Sequence, residues 1–175
     1  MKIRKAFVAF TVYALCSLNI AYIFSPDRVK AETQIENSDN LSACRKLVVG
    51  TYFILYKDLP TRSLLTFTQD GNFFAIDSIQ GGIEGLVTPF SDAHGSWKCN
   101  GNQEVSAITL SFTYQTTEAA GRINRAEFHL KFNSKTETVE GTVTIRFFDL
   151  TANPLQDTTP PVATYILSGQ RVTAD

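Results

Sequence analysis

Residues that carry chemistry are scarce in this chain. Its 175 residues include two histidines, three cysteines, one tryptophan and one methionine. So few and so scattered Cys and His cannot assemble a structural zinc site, so no metal is expected. No serine or cysteine stands in a nucleophile signature. Gly81-Gly82 and Gly85 lack the following Lys-Ser/Thr of a phosphate loop. The expectation is therefore no catalytic residue and no cofactor. Positive charge is also unclustered, which excludes the basic stripe a nucleic acid would need and the Lys/Arg cluster an anionic membrane would need. Periodic helical apolar patterning is missing as well.

His94 invites a general-base reading because Asp92 is close by in sequence. Asp92-Ala93-His94-Gly95 is nevertheless good turn chemistry, since Asp can bond its own backbone. His129 falls among alternating polar residues of a strand and reads as part of a solvated face.

One long apolar run is present, Ala6 to Phe24, behind Lys2, Arg4 and Lys5. With Val29 and Ala31 placed as a signal peptidase requires, it reads as a signal peptide over 1–31, cleaved after Ala31. The competing reading is an uncleaved membrane anchor, for which the run is nearly long enough. Cleavage removes five basic side chains and one acid, leaving 11 basic and 16 acidic residues and a net charge of −5. Such a chain suits a soluble exported protein, periplasmic or secreted. Cys16 leaves with the signal, and an even pair in an oxidising compartment then predicts a Cys44–Cys99 disulfide, against two unpaired thiols.

Residues 32–43 read as a flexible polar tail and 44–175 as one domain. Within it, eight short β-like runs follow one another, each ended by turn chemistry. Asp70-Gly71 and Asn100-Gly101 are strong hairpin signals. Alternation is clearest in Ile108/Leu110/Phe112/Tyr114, Ala126/Phe128/Leu130/Phe132 and Val139/Val143/Ile145/Phe147. Eight antiparallel strands on short turns predict an all-β, eight-stranded up-and-down barrel, which closes its own edges, rather than a two-sheet sandwich. The exception to the short turns is "DSIQGGIEGLVTPFSDAHGSWKC", a long connection in which Leu86, Val87 and Phe90 are candidates for a lid over the barrel mouth.

"VGTYFILY" resembles the opening Gly-x-Trp strand of lipocalins, with Tyr52 in place of Trp, and "SGQRV" puts Arg171 where lipocalins carry a basic residue over that aromatic. In a closed barrel the first and last strands are neighbours, so a Tyr52–Arg171 cation–π pair at one barrel end is expected. "LLTFTQDGNFFAID", "HGSWKCNG", "AEFHLKFNSKTETVEGTVTIRFFD" and "LSGQRV" are similar to small exported bacterial proteins of the calycin superfamily, and the likeness spans about residues 49–172.

What this resemblance implies is a lipocalin-like barrel with room for a small apolar or amphipathic ligand. The expected partner is that ligand, with neither nucleic acid nor, after cleavage, membrane. Phe53, Leu55, Phe67, Phe112, Phe128, Leu130, Ile145 and Phe147 are the candidate cavity lining. The same residues would equally fill a packed core. Two alternatives stay open: a cavity-type cyclase or isomerase resembling allene oxide cyclase or dirigent barrels, and a structural domain with no ligand.

Overall fold

The computed structural model describes residues 41–101 and 103–174. The signal peptide expected over 1–31 and most of the tail expected over 32–43 lie outside the described residues. A short helix, α1, covers residues 41–48. Eight strands follow: β1 (Gly50–Tyr56), β2 (Arg62–Phe67), β3 (Asn72–Asp77), β4 (Ala93–Gly101), β5 (Glu104–Thr113), β6 (Arg122–Asn133), β7 (Thr138–Asp149) and β8 (Ala163–Arg171). Each pairs antiparallel with its neighbour, and β8 pairs with β1, so the sheet is a closed up-and-down barrel.

The turns divide between the two ends. At one end, β2–β3, β4–β5 and β6–β7 are joined by tight turns, and α1 leads into β1 there. We call this the closed end. Gly71 takes φ +90° in the β2–β3 turn, where the Thr68 amide bonds Asn72 O at 3.0 Å and the Gly71 amide bonds Thr68 O at 3.1 Å. At the opposite, open end the chain runs through longer connections after β1, β3, β5 and β7.

The closed half of the interior is an interlocked aromatic core. Tyr52, Phe67, Phe73, Trp97, Phe128 and Phe132 are all buried. Phe67 is its hub. Its ring stacks on Phe73 at 4.6 Å and meets the edges or faces of Phe132, Trp97 and Tyr52 at 5.5, 5.8 and 5.9 Å. Such geometries suit the ring quadrupoles and contribute beyond burial alone. Large side chains need small neighbours: in register, Ala107 lies between Trp97 of β4 and Phe128 of β6. At Gly95 the wall pinches, because a Cβ there would lie 1.8 Å from Ile108 O. Only glycine lets β4 approach β5 so closely.

The expected disulfide is present: Cys44 of α1 is bonded to Cys99 of β4. It fastens the helix beside the core, where Cys44 and Val48 are both buried.

On the outer wall, the β7–β8 connection folds back over β6 and β7. Arg125 and Arg146 face each other across these strands, and Glu127 lies between them. Its carboxylate is 2.9 Å from Arg125 Nε and 2.6 Å from Arg146 Nη1. Both arginines also donate to the connection, Arg125 to Pro154 O and Asp157 O and Arg146 to Thr159 O. Arg125 further lies over the Phe148 ring at 5.0 Å. These contacts explain why a charged residue on the outer face is buried.

Candidate functional site

Strand alternation sorts the eight proposed cavity residues into three groups. Phe67, Phe128 and Leu130 point inward and belong to the sealed core. Ile145 and Phe147 share the inward face of β7 with Val139 and Val143 and are partly exposed. Phe53, Leu55 and Phe112 point outward, at 45%, 41% and 52% exposure. The correction has a register cause. Tyr52, Ile54 and Tyr56 take the inward positions of β1, and Val105, Ala107, Thr109 and Ser111 those of β5. Adjacent residues of a strand cannot share a face. The outward apolar side chains instead form a row across the wall, Phe53 opposite Leu64 and Leu64 opposite Ile76.

The lid expectation also needs correcting. The 78–92 connection forms a small turn closed by an Ile83–Val87 bridge, then runs beside β5 through Phe90–Thr113. Backbone bonds hold it there, from Ser91 N to Phe112 O at 2.9 Å and from Tyr114 N to Pro89 O at 2.8 Å. Leu86 stands at the turn tip, 82% exposed, and covers nothing. Val87 and Phe90 are half-buried. Asp92 accepts from Gln80 Nε2 at 2.7 Å, and His94 faces outward, edge-on to Phe74. These two residues therefore form no acid–base pair.

Tyr52 and Arg171 are register partners across β1 and β8. The guanidinium sits 5.1 Å from the ring centroid and donates to Tyr52 OH at 2.8 Å, to Val49 O at 2.7 Å and to Leu47 O. Burial raises the Tyr52 phenol above its ordinary pKa, against the opposing pull of Arg171. Gly50, two residues before Tyr52, takes φ +147°, a conformation that L side chains rarely adopt, and a Cβ there would lie 2.6 Å from Arg171 Nη1. This arrangement plugs the closed end and carries no open chemistry.

The open half of the interior differs from the closed half. Its inward positions include the small residues Ala75, Ala93, Thr109 and Ser111. Tyr56, Asp77, Phe147 and Tyr165 also point inward and are partly exposed. Tyr56 OH lies 3.0 Å from Ser63 Oγ, and Ser63 Oγ donates to Asp77. Tyr56 and Tyr165 meet edge-to-face at 6.4 Å. On the far wall, Asn124 Nδ2 donates to Ser111 Oγ at 3.2 Å, while Asn124 Oδ1 and Thr109 Oγ1 are sealed from solvent and have no partner among the described residues. Buried polar atoms normally find partners, and an unpaired one calls for an explanation such as an ordered water or a bound group.

Asp77, like Tyr56, Ser63, Ser111, Asn124 and Tyr165, is absent from the site residues expected from sequence. Its signal was present: Phe73, Ala75 and Asp77 alternate, so an acid on the core face follows from the strand period. Burial raises its carboxyl above the ordinary carboxylate pKa, although the Ser63 hydroxyl pulls it down. Burial also raises the Tyr56 phenol, and the nearby Asp77 adds to that effect.

A raised native pKa means that the folded state holds the Asp77 proton where the unfolded chain has lost it. The resulting stability is fully present below the unfolded carboxylate pKa and is lost as pH rises through the folded value. Urea midpoints of the wild type should therefore fall relative to Asp77→Asn across this window. A difference independent of pH would contradict the buried position of Asp77.

No protein-family model, curated protein or solved structure matches the chain.

Proposed function

We propose that this protein is an exported, calycin-like barrel that binds a small amphipathic molecule in its open half. The observation that carries this reading is the division of the interior. Large inward side chains are sealed at the closed end, whereas Tyr56, Asp77, Phe147 and Tyr165 at the open end are accessible and border small, polar positions. One wall offers apolar and aromatic surface from Ile145, Phe147 and Tyr165. Polar groups come from Ser63, Asp77, Thr109, Ser111 and Asn124, the last of them the register partner of Phe147. Binding sites of this type pair apolar lining with a few polar groups that orient the ligand, and an eight-stranded barrel is wide enough for one small ligand. The Cys44–Cys99 disulfide supports export, because such bonds persist in oxidising compartments.

The test is saturable uptake of the neutral probe N-phenyl-1-naphthylamine, read by its fluorescence. Binding of one probe per barrel is expected, with loss in a Ser111→Phe variant that fills the open half. A wild-type protein that takes up no probe, or a Ser111→Phe variant that binds it unchanged, would overturn the reading.

A further inference from the structure

Asp77, Arg122 and Asp149 hold the inward charged positions of the open half, and Arg122 and Asp149 face each other in register. Asp77 lies there without a cation: among the described residues the ion pairs are Arg125–Glu127 and Arg146–Glu127, both on the outer wall. No basic group lies within ion-pair distance of Asp77 among the described residues. Arg62 is on the outward face of β2 and donates to Thr61 O at 2.8 Å, Arg122 is exposed at the rim opposite Asp149, and Arg171 closes the far end.

Donors are equally few. Ser63 is occupied, accepting from Tyr56 while donating to one Asp77 oxygen. Ser63 is the one side-chain donor to the Asp77 carboxylate among the described residues, and Asn124 Oδ1 is a buried acceptor without a partner. A buried carboxylate is costly unless it is paired and hydrogen-bonded. The missing complement is a cation with several N–H donors and a small apolar body. The Tyr56 ring, edge-on to Tyr165, supplies an adjacent aromatic surface of the kind that favours cations.

We propose that the ligand carries a protonated amine, which seats on the Asp77 carboxylate beside Tyr56. This inference rests on the binding reading above but can fail separately from it. An ammonium placed there makes charge-assisted hydrogen bonds in a partly buried site. A neutral hydroxyl of the same shape forfeits the charge term, and a carboxylate is repelled.

The experiment is displacement of N-phenyl-1-naphthylamine by three ligands of one skeleton: phenethylamine, 2-phenylethanol and 3-phenylpropionate. Phenethylamine should displace the probe at a concentration at least about tenfold below that of 2-phenylethanol, with 3-phenylpropionate the weakest. In folded Asp77→Asn, checked by Trp97 emission, the amine-to-alcohol ratio should fall to near one. A wild type that binds the probe but shows no amine preference would overturn this inference alone, as would an Asp77→Asn variant that keeps the preference. A wild type that binds no probe would remove the binding reading and this inference with it.

Discussion

Phe67→Ala should lower the unfolding free energy by about 4 kcal/mol, near the upper range for a buried aromatic. Phe67 is 1% exposed and touches four other aromatic rings, Tyr52, Phe73, Trp97 and Phe132. Its loss removes apolar burial and leaves a gap that these rigid rings cannot collapse to fill. The contrasting substitution is Phe112→Ala, of identical chemistry at a site 52% exposed on the outer wall. It should cost less than about 1 kcal/mol. Urea denaturation followed by Trp97 emission measures both. Trp97 is a suitable reporter, since it packs edge-on to Phe67 and its indole N–H bonds Thr68 O at 3.0 Å. Equal losses at the two positions would mean that the inward and outward faces are misassigned.

Removing the disulfide should cost a similar amount. Cys44 and Cys99 are 55 residues apart, and cross-linking a loop of that length removes unfolded-state entropy worth about 4 kcal/mol in the chain-entropy description. The Cys44→Ala/Cys99→Ala variant should therefore lose about 4 kcal/mol against the oxidised wild type. The wild type under reductant should fall to nearly the same level. Loss of α1 from its position beside the core adds a second signature: amide exchange over residues 41–48 should accelerate more than exchange in β6. An unchanged urea midpoint on reduction would show that the bond contributes nothing to the folded protein.

The strands and their order were legible because turns announce themselves. Asp70-Gly71 and Asn100-Gly101 mark hairpins by chemistry, and eight runs on such turns leave few topologies. Which face of each strand points inward was less legible. In β1, "TYFILY" is apolar at almost every position, so alternation has no amplitude there. In β5 the bulkier apolar face, Ile108, Leu110 and Phe112, is the outer one. Alternation reveals that two faces differ but not which is inside. That choice was made by neighbours distant in sequence: Trp97 and Phe128 require Ala107 between them.

The candidate site was hidden for a related reason. Its members Tyr56, Ser63, Asp77, Ser111 and Asn124 come from five strands and form no contiguous motif. Polar residues facing the inside of a barrel contradict the apolar-in expectation, so they read as solvent-facing. They gather because the aromatic side chains are spent on the closed half, leaving small and polar positions for the open half. The Tyr52–Arg171 pair was easier to place, since closure of any eight-stranded meander brings the first and last strands together.

The proposed ligand enters the open half of the barrel rather than resting on its apolar outer wall. Titration of the isotope-labelled protein with N-phenyl-1-naphthylamine, followed residue by residue by NMR, tests it directly. The largest shifts are expected at Tyr56, Asp77, Ser111, Asn124 and Tyr165, with Phe132 and Arg171 at the closed end little changed. Shifts confined to Phe53, Leu64, Ile76 and Phe112 would place the probe on the outer wall and rule out binding in the open half.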